Sequence, residues 1–302
     1  MIKQVSLWLL SLIIIISCNN FRDDTPPEDE FVVPDSIAAL GPIEISEDAM
    51  EDIIQNLASP VEISAMINSL GVPFSQKYLT SDITVSNITT NFRKAYKLGV
   101  YGADLGYLNI YEKTTSAIDY ITAIKQLADG INVGQFVDFA TLKRLASSKH
   151  NIDSLMYLSV RSFNRMDKHL RETKRSHLSA LIITGLWVEG MYLATQVARE
   201  NTHPEITERI GEQKIILNDL LLILNTYKKD KKFANLIKDL EVVKKEFDKV
   251  EITYEQGEPE MVEKDGMLII IQNETSIVHF TNDLLTNIIN KIDELRNISI
   301  EI

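Results

Sequence analysis

The stretch LGVYGADLGYL, residues 98–108, constrains the fold more than any other. Gly99, Gly102 and Gly106 stand three and four residues apart within a helical pattern, which puts all three on one face. Each costs up to about 1 kcal/mol relative to alanine in a helix interior. A smooth glycine face is tolerable where a second helix packs closely against it, so this segment predicts a central helix with a near neighbour. Asp104 lies off that face, with Tyr101 and Tyr107 three residues to either side as candidate hydrogen-bond donors to its carboxylate.

From Ser46 onward apolar residues recur at helical spacing, and breakers separate the runs. The pattern predicts helices near 46–57, 60–70, 85–112, 115–129, 133–147, 150–171, 175–200, 205–228, 231–250 and 275–297. Ser46 and Ser59 serve as N-caps, and Gly71 lies just past the second helix. Within 150–171, Ile152, Leu155, Met156, Phe163, Met166 and Leu170 share one face, the mark of an amphipathic core helix. Ile277, Phe280, Leu284, Ile288, Ile292 and Leu295 repeat that logic in the last helix.

One segment departs from the helical rule. Residues 250–272 are rich in β-branched side chains, and Asp265-Gly266 between apolar runs signals a hairpin. A lone hairpin is marginal in water and must lie against the helices, either to cover a core opening or to form a recognition edge. The expected fold is therefore all-α, a multi-helix bundle or short helical array with one small β-hairpin. A second segment, ITGLWVEGMYL at 183–193, aligns with the first at an offset of 85 residues, with Glu189 on Asp104 and Tyr192 on Tyr107. Either chance or an internal duplication accounts for the match. A duplication predicts that the two long helices pack together at the centre with their acids at related positions.

An acid inside an apolar helix must be hydrogen-bonded, paired or neutral, which singles out Asp104 and Glu189. With Tyr107, Tyr192 and Trp187 beside them, these residues form the candidate ligand site; the bland alternative is a pair of satisfied core acids. Signatures of catalysis, metal binding and cofactor binding are missing: there is no phosphate-binding loop, nucleophile elbow, HExxH, zinc-type cysteine pair or dinucleotide fingerprint. No catalytic residue, metal ligand or cofactor is therefore assigned. Glu200 and His203 have the ExxH spacing of di-iron bundles but occur once, beside Pro204. His169 and His177 lie among Arg161, Arg165, Arg171, Lys174 and Arg175, which reads as a solvated basic face able to receive an acidic ligand.

The amino terminus carries an address. Lys3 precedes an apolar run from Val5 to Ile16, too short to span a bilayer, followed by Ser17 and Cys18, the chain's only cysteine. The stretch IISC at 15–18 resembles the lipobox of bacterial lipoproteins, with Ile15 where leucine is more usual. The resemblance implies that residues 1–17 are a signal peptide and that Cys18 is lipidated. Residues 18–45, acidic and proline-rich, form a flexible tether, and 46–302 form the helical domain. Asn19 after the cysteine favours the outer membrane, and the acids that follow resemble surface-export signals of Bacteroidota lipoproteins, so the body is periplasmic or surface-exposed. Acidic residues outnumber basic ones 43 to 31, a formal charge of -12, which argues against nucleic acid and against docking on anionic headgroups. The expected partners are the membrane, through the lipid, and an envelope protein or small molecule. The expected function is a binding or scaffold lipoprotein; the alternative is an envelope enzyme using Asp104 and Glu189 as a carboxylate pair.

Overall fold

The computed structural model describes residues 59–146, 152–257, 260–264, 267–271 and 274–301. The signal peptide, Cys18, the tether, the helix expected at 46–57 and the Asp265-Gly266 turn lie outside these residues. Nine α-helices are found among the described residues: α1 (Ser59–Ser69), α2 (Asn91–Ile110), α3 (Thr114–Gly130), α4 (Phe139–Ala146), α5 (Ile152–Glu172), α6 (Ser176–Glu200), α7 (Pro204–Asn225), α8 (Lys231–Phe247) and α9 (Asn282–Glu301). The fold is all-α with a small antiparallel β-ribbon between α8 and α9.

The most extensive contact in the fold is between α2 and α6. Around this pair, α3 packs on α2, α1 packs on both, α7 and α9 pack on α6, and α8 closes against α7 and α9. A Cβ on Gly99 would overlap the Ile182 carbonyl and lie 2.6 Å from Leu186 N; one on Gly185 would overlap the Tyr96 carbonyl and lie 3.2 Å from Val100 N. The contact is reciprocal, since each glycine meets the backbone three residues before and one residue after the other. Gly99 and Gly185 are thus where the two backbones cross, and glycine is required at both because any side chain would displace backbone. At Gly102 a Cβ would meet only Leu186 Cδ1 at 3.7 Å, an ordinary contact. The close approach therefore sits at Gly99, one turn from the centre of the glycine face. The two long helices do pack at the centre, but the crossing relates Gly99 to Gly185, one residue out of step with the 85-residue sequence match.

Local chemistry sets the boundaries that periodicity misplaced. The expected helix at 133–147 is a single 3-10 turn at Gly134–Phe136 followed by α4. Asp138 restarts the helix, its carboxylate accepting from Thr141 N at 2.9 Å and the Thr141 hydroxyl at 2.7 Å. The last helix begins at Asn282 instead of 275, with the Thr281 hydroxyl accepting from Leu284 N at 3.2 Å. Ile277 is therefore in a strand and Phe280 in the loop after it.

The ribbon comprises β1 (Glu251–Gln256), β2 (Glu260–Lys264), β3 (Met267–Ile271) and β4 (Glu274–His279). β1 pairs with β4 and β2 with β3, and the register shifts by one residue between the two ladders. Its stem leans on α7: a Cβ on Gly211 would overlap Val278 and lie 2.5 Å from the Phe280 ring. Ser276 donates to Glu212, and Lys214 donates to the carbonyl of Val250 at 2.7 Å. The ribbon thus covers the α7 flank of the core, and β4 is the strand with an extensive helix contact. By length and composition α6 is apolar enough to cross a bilayer, yet it is a core helix, buried along most of its length.

Candidate functional site

Asp104 and Glu189 lie just beyond the glycine crossing, on α2 and α6, both 0% exposed. Here two helices held in backbone contact bury two carboxyls side by side. The third member is Arg296 on α9, whose Nε donates to Glu189 Oε2 at 3.1 Å and whose Nη2 donates to Oε1 at 3.0 Å. This two-point pairing matches the flat guanidinium to the carboxylate and fixes orientation as well as charge. The guanidinium also stacks over Tyr192, 4.3 Å from the ring centroid.

The segment between α1 and α2 completes the cluster. Thr80 N donates to Asp104 Oδ2 at 3.1 Å, the Thr80 carbonyl accepts from the Tyr120 hydroxyl at 3.1 Å, and the Thr80 hydroxyl accepts from Arg296 Nη2 at 3.5 Å. Lys97, 5% exposed, lies two turns before Asp104 on α2. Asp104 Oδ1 and the Tyr96 hydroxyl are buried without a hydrogen-bond partner among the described residues.

Electrostatics divides the labour between the acids. Burial pushes the Asp104 carboxyl well above the usual range, and the neighbouring Glu189 pushes it further, against the pull of the Thr80 N–H. Burial raises Glu189 too, but Arg296 and Lys97 oppose it. Asp104 is therefore the acid that holds its proton, while Glu189 carries the charge that Arg296 matches. Burial lowers Lys97 to about 8, with Glu189 acting in the opposite sense. The result is a closed cluster, built around the Glu189–Arg296 pair, that joins α2, α3, α6, α9 and the α1–α2 connection.

Of the residues singled out in sequence, Asp104, Glu189 and Tyr192 converge here; Tyr107 and Trp187 do not. The Tyr107 hydroxyl accepts from Ser75 N at 3.0 Å, and its ring stacks with Phe74 at a 5.5 Å centroid separation. Trp187 Nε1 donates to Gln213 at 3.2 Å, on the α7 side of α6. The expected tyrosine donors to Asp104 are also elsewhere, since Tyr101 donates to the Asp82 carbonyl. Arg296, Thr80, Lys97 and Tyr120 were missed. Only Lys97 left a trace in sequence, as a lysine inside the same apolar run as Asp104.

The basic residues of 161–177 separate into two groups. Arg171 pairs with the buried Asp167, Arg175 Nη1 donates to the Ile131 carbonyl at 3.0 Å, and His169 lies against Phe136. His177 is buried between Tyr227 and Phe233, and burial, followed by the nearby Arg175, lowers it to about 4, so it is neutral. Arg161, Arg165 and Lys168 remain on the exposed face of α5, lining a shallow hollow of about 410 Å³ with Tyr157, Val160 and Asn164. Glu200 accepts from Lys77 and Tyr78, while His203 caps α7 by accepting from Glu205 N, so each half of the ExxH pair is otherwise engaged. Comparison with protein-family models, with curated proteins and with solved structures finds no match to the chain.

Proposed function

We propose that this chain is a cell-envelope lipoprotein, anchored through Cys18 at the outer membrane, whose helical domain is a binding or scaffold module. The observation that carries the scaffold reading is the closure of the carboxylate pair. Acid–base chemistry needs a carboxyl within reach of substrate or water. Asp104 and Glu189 are fully buried, and both oxygens of Glu189 are taken by Arg296. The same residues serve well as a clamp, because they draw the C-terminal helix and the α1–α2 connection onto the central pair.

The membrane part rests on the sequence of residues 1–18 and on physical need. A chain with a formal charge of -12 is repelled by anionic headgroups, so attachment must come from acyl chains, each buried methylene contributing about 0.8 kcal/mol. Labelled palmitate should enter the wild type but not Cys18→Ser, and the variant should leave the membrane fraction. Equal labelling of both would refute the anchor.

A further inference from the structure

We infer that the exposed basic face of α5 is a docking surface for the chain's own acidic segment, Asp23 to Glu30. Arg161, Arg165 and Lys168 follow one another at helical spacing, and Tyr157, 67% exposed, extends the same stripe by one turn. None of the three cations has an ion-pair partner among the described residues, although the protein has an excess of acids. Elsewhere the cations of this helix are used: Arg171, four residues after Asp167, pairs with it. The stripe from Tyr157 to Lys168 runs about 16 Å along the helix. The first half of α5 belongs to the periphery, for Ser154, Tyr157, Ser159 and Arg161 are all exposed.

Charge complementarity and chain length identify the occupant. DDTPPEDE, residues 23–30, carries five acids in eight positions and no cation, and eight residues reach at most about 28 Å, enough to follow the stripe. The chain from residue 30 to the start of α1 at Ser59 reaches up to about 100 Å, so no geometric barrier separates the two. Covalent linkage also raises the local concentration of the acidic segment into the millimolar range, so each contact can be individually weak. Docking shortens the effective tether and turns one face of the body toward the anchored end. The interaction does not depend on acylation of Cys18, so it stands or falls separately from the anchor.

The test uses the chain from Cys18 to Ile302, produced without its signal peptide, with spin labels on Cys18 and on Ser159→Cys, an exposed position outside the stripe. Pulsed electron resonance at low salt should show a short, narrow distance population. Charge reversal of Arg161, Arg165 and Lys168 to Glu should reduce that population several-fold, as should neutralising the five acids to Asn and Gln. Salt at about 0.5 M should reduce it as well, because the Debye length is then well under 10 Å. Circular dichroism confirms that the variants keep their helices. A broad distribution in the unmodified chain, or one unchanged by charge reversal, overturns the proposal. So does a chain whose distances ignore the stripe while its binding to phosphatidylglycerol vesicles depends on it, since the face would then serve a membrane.

Discussion

Arg296 and Arg165 carry the same guanidinium into opposite surroundings. Arg296 is enclosed by Glu189 and Tyr192 of α6 and by Thr80 of the α1–α2 connection, all distant from it in the chain. Arg165 stands in solvent on α5 beside two more cations. Removing a charge from water costs several kcal/mol, which only well-matched partners offset, so the buried arginine is fixed by the fold and fixes it in turn. The exposed one contributes almost nothing to folding. A charge the fold requires is poor evidence for a ligand, whereas unpaired charges gathered on one exposed stripe are not required by the fold.

The sharpest way to break this comparison is to delete each arginine. Arg296→Met leaves Glu189 buried without its partner and should cost about 3–5 kcal/mol in urea unfolding. Adding Glu189→Gln should recover much of that loss, because the uncompensated charge disappears. A cost below 1 kcal/mol for Arg296→Met would mean that the cluster does not clamp the C-terminal helix.

Next in size is the glycine crossing that sets the acids side by side. Gly99→Ala pushes a methyl into the Ile182 carbonyl and should destabilise by about 1–3 kcal/mol or more. Gly102→Ala has room and gains helix propensity, so it should be neutral or stabilising by up to about 1 kcal/mol. Equal costs at the two positions would return the close contact to the middle of the glycine face.

The same crossing shows how much was legible in sequence. Three glycines within an apolar helical run were enough to anticipate a central helix with a close neighbour; that the helices carrying Asp104 and Glu189 would be the pair followed only from reading the 85-residue match as a duplication. Which glycine touches which backbone depends on the crossing angle, and no spacing rule encodes that. Arg296 was invisible because on α9 it adjoins the apolar positions Ile292 and Leu295, as many surface arginines do; only its distant partner on α6 makes it a core residue. The ribbon was partly legible: Asp265-Gly266 marked a hairpin, but the pairing of β1 with β4 extended it into a stretch that also fits helical spacing. The basic cluster misled in part, since sequence neighbours such as Arg161 and His177 ended up on an exposed face and in the core.

Proton linkage separates the buried cluster from the surface by a smaller effect. Asp104 keeps its proton in the fold but loses it above its ordinary 3.8 when unfolded, so its contribution to stability falls as pH rises from about 4 toward the raised folded value. Asp104→Asn has no proton to lose, and its stability relative to the wild type should therefore grow with pH across that window. Lys97 has the opposite sign. Between about 8 and 10.5 the unfolded chain binds a proton that the native state lacks, so stability from this residue rises with pH, and Lys97→Met should abolish the rise. Parallel pH profiles for wild type and both variants would show that these groups are not enclosed as described.

The smallest effect belongs to the exposed stripe, and its smallness is the point. Arg161, Arg165 and Lys168 make no ion pair among the described residues, and changing each to alanine deletes only solvated charge and some stem packing. Alanine is a better helix former than either replaced residue, so the triple variant should melt within about 0.5 kcal/mol per site of the wild type. Removing three like charges from neighbouring turns also relieves repulsion, and this gain is larger at low salt. If the stripe merely decorates the surface, the variant's stability should approach or exceed the wild type's as salt is lowered. If the stripe holds the acidic segment, lowering salt should stabilise the wild type relative to the variant, because the docked state is populated only in the folded protein. The sign of that salt dependence, read from thermal melts of the chain from Cys18 to Ile302 at two ionic strengths, distinguishes an idle surface from an occupied one.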